Sequence, residues 1–299
     1  MKPVFTFVSC VLLFFAASAT RAQELSLDAR RVPFDADWRF LKGDAPGAEQ
    51  SGFNDAGWRR LDLPHDWAIE GPFDPKYEPH NGALPFYGVG WYRKHFTLPA
   101  SARGKYLSLE FDGAMANSRV WVNGIEVGGR PYGYIGFSVD LTPQLRFDGE
   151  NVVAVRLAPE DESSRWYPGA GIYRHVWLDV TGPVHVDRWG TYVTTPDVTD
   201  RQATVKVEVS IRNRTEAAVA VVVSNGVSQI DPGPGGITGG VTPPVTIPAG
   251  STSSVEMQIA IENPQRWYLD LPHLYRANTT LLTGGKEIDR GETIFCIRT

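Results

Sequence analysis

The chain has 299 residues, 42% of them hydrophobic and 21% charged, with 9 Trp, 11 Tyr and 14 Phe. Its length suggests two domains at roughly 100–200 residues each, and its composition is that of a globular chain rather than a disordered one. A formal net charge of −5 and two Cys, Cys10 and Cys296, argue against a nucleic-acid surface, a polybasic membrane patch, a zinc cage or a disulfide framework.

Lys2 is followed by an apolar stretch from Val4 to Ala17, interrupted mainly by Thr6, Ser9 and Cys10, and then by the small residues Ala17-Ser18-Ala19 and Ala22. This is the pattern of a secretory signal peptide cut after Ala19 or Ala22. Residues 1–22 are therefore expected to direct export, to the periplasm or the exterior. The run is too short to span a bilayer well. Cleavage after Ala22 would remove Lys2, Arg21 and Cys10 and leave Cys296 as a lone thiol.

Beyond it, period two dominates and no long 3.6-residue period is present. The one helical candidate is a short turn near Asn54–Gly57, flanked by Phe53 and Trp58. Leu107, Leu109 and Phe111 alternate with Ser108, Glu110 and Asp112, predicting a strand with one face buried. Val120 to Val127 reads as a hairpin, because Asn123-Gly124 accepts the positive φ angles of a type I′ turn. The composition shifts near Gly182-Pro183, from a segment dense in Trp, Tyr and Arg to long aliphatic alternations. Val205, Val207, Val209 and Ile211 form one such run, and Val255, Met257, Ile259 and Ile261 another. Between them, residues 226–250 are rich in Gly, Pro, Thr and Ser and predict a long flexible loop. The fold class is all-β, with an eight-strand sandwich followed by a seven-strand immunoglobulin-like one that has no Cys pair.

Three segments combine aromatic and polar groups: Leu63 to Asp74, Gly88 to Lys94, and Ser163 to Arg174. Sugars suit this chemistry, with ring faces against C–H surfaces and carboxylates or guanidinium groups for hydroxyls. The same residues carry a resemblance. Leu63 to Asp74, Gly90 to Phe96, Phe111-Asp112-Gly113, Trp121-Val122-Asn123-Gly124 and Gly171-Ile172-Tyr173-Arg174 resemble the sugar-binding jelly roll of family 2 glycoside hydrolases. Asn263-Pro264-Gln265-Arg266-Trp267 with Leu274-Tyr275 resembles the end of that family's immunoglobulin-like domain. Phe295 to Thr299 resembles its entry into a catalytic barrel, with Cys296 where the family usually has Gly. The Pro64-His65-Asp66-Trp67 segment is similar to secreted β-galactosidase-like members.

The resemblance implies a signal peptide at 1–22, a galactose-binding-like jelly roll at 23–183, an immunoglobulin-like sandwich at 184–295 and the start of a truncated barrel at 296–299. Retention needs two carboxylates about 5–5.5 Å apart, which the family carries on a barrel of about 250 residues. No catalytic residue is therefore expected in this chain, which should be inactive alone. Glu160-Asp161-Glu162 reads as a solvated loop. No cofactor and no metal are implied. The expected partner is a β-glycoside or oligosaccharide at the edge of a substrate pocket. Asp66 would accept hydroxyls, His65 would orient it, and Arg165, Trp166 and Tyr167 form the second loop. Some β-galactosidases have an acidic residue at the place of Arg165. Structural readings stand beside these: Asp66 as a turn cap, and Trp166 and Tyr167 as packing between sheets. Trp121 and Trp177 read as structural, and Arg174 and Arg298 as ion-pair formers. Rival functions are a free-standing carbohydrate-binding module and a structural or adhesion sandwich. The segment Ile294 to Thr299, with Cys296, is expected to lack cover and to promote self-association.

Overall fold

Alternating apolar residues need something to bury against, and here they pack as pairs of sheets. The computed structural model describes residues 23–27, 29–77, 82–85, 87–161, 166–230 and 236–298. The signal-peptide segment and Arg165 lie outside the described residues. The first half contains β1 (Gln23–Glu24), β2 (Arg31–Pro33), β3 (Trp38–Lys42), β4 (Arg59–Leu61), β5 (Gly90–Thr97), β6 (Tyr106–Phe111), β7 (Ser118–Val122), β8 (Ile125–Arg130), β9 (Phe137–Asp140), β10 (Asn151–Leu157) and β11 (Val176–Thr181). One sheet runs β4-β3-β5-β10-β7-β8, with β1 parallel to β5, and the other runs β2-β11-β6-β9. The core between them is formed by Tyr92, Phe96, Val120, Val122, Val153 and Val155 from the first sheet and Leu107, Leu109, Phe111 and Leu178 from the second. Asn123 and Gly124 have φ values of 52° and 89°, which close the β7–β8 hairpin as a two-residue turn between Val122 and Ile125. Residues 54–58 form a turn, with the Asn54 side chain accepting from the Ala56 N–H.

The outer face of the seven-stranded sheet carries charge. Arg93 is fully buried and donates from Nε to Asp55 Oδ2 at 2.6 Å. His95 Nε2 lies 2.8 Å from the same oxygen, and Arg39 pairs with Oδ1. Arg93 also donates to the Ala48 and Gln50 carbonyls. Residues 43–58 are thus clamped over the sheet, where Ala45 and Ala48 pack on Trp91 and Trp121. Burial opposes ionisation of Asp55, but the His95 and Arg93 hydrogen bonds prevail and hold its carboxyl well below the usual range.

The second half contains β12 (Val184–Val198), β13 (Gln202–Asn213), β14 (Val219–Gln229), β15 (Thr238–Val241), β16 (Val245–Ile247), β17 (Thr252–Glu262), β18 (Tyr275–Thr283) and β19 (Lys286–Phe295). Sheet β12-β13-β17 faces β15-β14-β18-β19, with β16 also on β14. Val205, Val207, Val209 and Ile211 point into the core between them. The loop expected over 226–250 is largely strand where it is described. Gly226 opposes Gly239, and a Cβ on Gly239 would lie 2.2 Å from the Asn225 carbonyl oxygen. Glycine here permits close approach of two strands. At the end of the chain, Ile297 is fully buried in this core, whereas Ile294 is exposed. Cover is therefore missing from part of the terminal segment only.

The two sandwiches meet on the outer face of the four-stranded sheet. Tyr106 stacks on His185 at 5.3 Å, Arg188 reaches Glu110 at 3.1 Å, and Arg214 reaches Asp140 at 3.5 Å. Arg30 donates to Asp289 at 2.7 Å and to the Val186 carbonyl at 2.6 Å. Among the described residues these pairs, and none from Arg174 or Arg298, span the joint. Burial pushes the His185 imidazole down to about 4. Burial, with Arg31 opposing and Glu110 reinforcing it, pushes the Asp179 carboxyl up to about 6.

Two predictions follow from the charges. Asp55→Ala leaves Arg93 buried without its carboxylate, which should cost about 3–5 kcal/mol and lower the urea midpoint of the first sandwich. For the joint, His185 has a folded pKa below its unfolded one. Its stability contribution is complete above pH 6.5 and is lost as pH falls toward about 4. Asp179 is shifted upward, so its contribution is complete below pH 3.8 and is lost as pH rises through about 6. The slopes oppose each other. Relative to wild type, His185→Phe should therefore gain stability as pH falls from 6.5 to 4, and Asp179→Asn as pH rises from 4 to 6. Calorimetric scans across that range check both signs.

Candidate functional site

Strand register gathers the ends of β6, β8 and β10 and the starts of β5, β7 and β11 at one end of the first sandwich. The segments 62–74, 112–117, 131–136 and 166–175 converge there. The 65–67 segment runs beside 170–172, with the His65 N–H donating to Ile172 O at 2.8 Å and the Trp67 N–H to Ala170 O at 2.9 Å. On its other side, Gly171 exchanges two backbone hydrogen bonds with Met115. A Cβ on Gly171 would lie 2.3 Å from the His65 carbonyl oxygen, and its φ is +142°. Trp67 lies against Gly90 and stacks on Phe40, which fixes the start of the 67–74 segment.

Asp66 sits at the centre of this crossing. Its Oδ1 accepts the Ala68 N–H at 2.9 Å and the Ala170 N–H at 3.0 Å, and Oδ2 accepts the Tyr167 hydroxyl at 2.6 Å. It acts as a turn cap and as a tie between two loops. His65 projects to the opposite side. Its Nδ1 lies 2.7 Å from the Tyr92 hydroxyl and its Nε2 lies 3.0 Å from Glu70 Oε1, so His65 is bound to these two groups and does not orient Asp66. Glu70 in turn accepts two hydrogen bonds from Arg59 Nη1, at 2.7 and 2.8 Å. Burial holds the His65 imidazole below its ordinary value, against the pull of Glu70. Burial likewise raises the Tyr92 hydroxyl well above the tyrosine range, which leaves a neutral imidazole against a protonated phenol. The arrangement ties the 65–70 segment to β5 and to Arg59.

The second loop separates into two roles. Tyr167 packs against the core, and burial with the Asp66 carboxylate raises its hydroxyl far above the ordinary range. Trp166 does not pack between the sheets. Its side chain is 60% exposed, and its Nε1 donates to the Tyr134 hydroxyl at 2.8 Å. Tyr134 and Tyr132 are exposed beside it and were not singled out from sequence. Residues 133 and 134 form a turn, so strand alternation does not mark these side chains in the sequence. Trp121 stacks on Trp91, and Trp177 donates to Asp112 at 2.9 Å. Among the described residues no group of three or more His, Cys, Asp or Glu side chains assembles into a metal-binding arrangement.

This architecture and loop set have close counterparts. Residues 34–183 match the sugar binding domain of glycosyl hydrolases family 2, and residues 184–298 match the glycosyl hydrolases family 2 domain that follows it. The chain belongs to glycosyl hydrolases family 2. It is 43% identical over 284 residues to beta-galactosidase BoGH2A from Bacteroides ovatus, covering 94% of this chain and 33% of that protein. It is 30% identical over 288 residues to a beta-glucuronidase from Formosa agariphila, covering 89% and 29%. A solved family 2 member from Bacteroides cellulosilyticus superposes with a TM-score of 0.84 at 34% identity, over 90% of this chain and 35% of that one. The chain spans about a third of the length of these relatives.

Asp66→Ala removes the acceptor for three donors and should destabilise the loop pair by about 1–3 kcal/mol. Hydrogen exchange measures it directly: the Ala68 and Ala170 amides should lose protection while the β13 amides keep theirs.

Proposed function

We propose that this chain is the N-terminal, non-catalytic portion of an exported, β-galactosidase-like family 2 glycoside hydrolase. In this reading the whole enzyme hydrolyses terminal β-glycosides with retention of configuration. The observation that carries it is the unbroken succession of the sugar binding domain and the following family 2 domain in a chain one third as long as its relatives. The 43% identity to a protein named beta-galactosidase favours a β-galactoside over the glucuronide suggested by the 30% relative. The catalytic carboxylates would come from the remaining two thirds. The signal-like segment at 1–22 supports export. The end of the sandwich bearing Trp166 would edge the substrate pocket, with Asp66 and His65 holding its loops in place. Exposed Ile294 and the half-buried thiol of Cys296 support self-association of the isolated chain.

The gene downstream of codon 299 tests the reading. Sequence encoding a barrel with two catalytic Glu residues, in frame or displaced by a frameshift, is the expected result. The purified chain should show no turnover of nitrophenyl β-galactoside above a mock purification. Turnover that one carboxylate substitution within the chain abolishes would overturn the non-catalytic assignment.

A further inference from the structure

At the loop end of the first sandwich, we propose that Tyr132, Tyr134 and Trp166 form a stacking platform for the ring faces of a saccharide. The proposal rests on the reading of this chain as a carbohydrate-contacting portion of the enzyme and locates where that contact is made.

The platform is built by a glycine with no room for a side chain. Gly133 is buried, and a Cβ there would lie 2.6 Å from Met115 Sδ and 2.9 Å from the Ala114 carbonyl oxygen. The Tyr173 hydroxyl donates to the Gly133 carbonyl at 3.0 Å. With its centre pinned inward, the tripeptide projects Tyr132 and Tyr134 outward, 56% and 37% exposed. Their rings are 5.4 Å apart and inclined at 58°. Trp166 arrives from a different loop, and its bond to the Tyr134 hydroxyl joins the two loops. Three large, partly exposed rings are thus joined to one another by a ring contact and a hydrogen bond. Such preorganised aromatic groups bind with little loss of side-chain entropy.

The rim suits sugar hydroxyls. Asn117 donates its N–H to the Pro131 carbonyl at 2.9 Å and its side-chain amide to Glu160 Oε1 at 3.3 Å. This sets a carboxylate acceptor close to the Tyr132 loop. Flat apolar faces edged by phenol and carboxylate groups match a pyranose, which has C–H surfaces and outward hydroxyls.

The test is a titration of the full chain with β-linked galacto-, gluco- and manno-oligosaccharides, followed by saturation-transfer NMR and tryptophan fluorescence. We expect one of these sugars to bind, with Trp166→Ala and Tyr132→Ala each weakening it at least tenfold while the urea midpoint stays unchanged. Tyr134→Phe, which keeps the ring and loses the hydroxyl, should bind more tightly than Tyr134→Ala. Binding to none of the sugars up to millimolar concentration, or binding that survives Trp166→Ala, overturns the platform. So does a chain that dimerises through these rings, shown by sedimentation of the Trp166→Ala variant. If the platform fails while the downstream gene encodes a barrel, the enzyme reading stands and only the location of the sugar contact is lost.

Discussion

The 170–172 segment is the constraint on which the loop end depends. It is hydrogen-bonded to 65–67 on one side and to Met115 on the other, so it bridges the gap between the two sheets. Ala170 and Ile172 fill the core beneath it, and Gly171 leaves no space for a side chain between the His65 carbonyl and the Tyr92 hydroxyl. Everything carried on the flanking loop takes its position from this crossing. Tyr167 turns inward to Asp66, and its neighbour Trp166 is directed outward to Tyr134.

Local pattern made much of the fold legible. The β13 alternation and the Asn123-Gly124 turn are properties of a few consecutive residues. The 226–250 segment was not legible in this way. Its glycines indicate freedom in isolation, but the long-range pairing with β14 uses them for backbone proximity. Sheet order is equally hidden, because β10 sits between β5 and β7 through pairings between residues far apart in the chain.

The site shows the same limit at shorter range. His65 and Asp66 are adjacent, and chemistry alone invites pairing them. In extended backbone, successive side chains point to opposite sides, so His65 meets Tyr92 and Glu70 while Asp66 meets Tyr167 and two backbone amides. Asp66 accepts three hydrogen bonds from two loops, so it supports the loop end on which the sequence places a sugar contact.

Both broad faces of the first sandwich are already committed to packing. The seven-stranded sheet carries residues 43–58 on its outer face, fixed by the Asp55 carboxylate and the buried guanidinium of Arg93. The four-stranded sheet carries the second sandwich, joined through Arg30, Arg188, Arg214 and the Tyr106–His185 stack. A sheet face offers a broad, flat area suited to another sheet or a covering segment. A loop end offers curvature and independently aimed side chains, which is what a small polyhydroxylated ring requires. The exposed rings of Tyr132, Tyr134 and Trp166 occur at that end, where packing between the sheets does not account for them, and this makes the loop end the surface at which ligand recognition is to be sought.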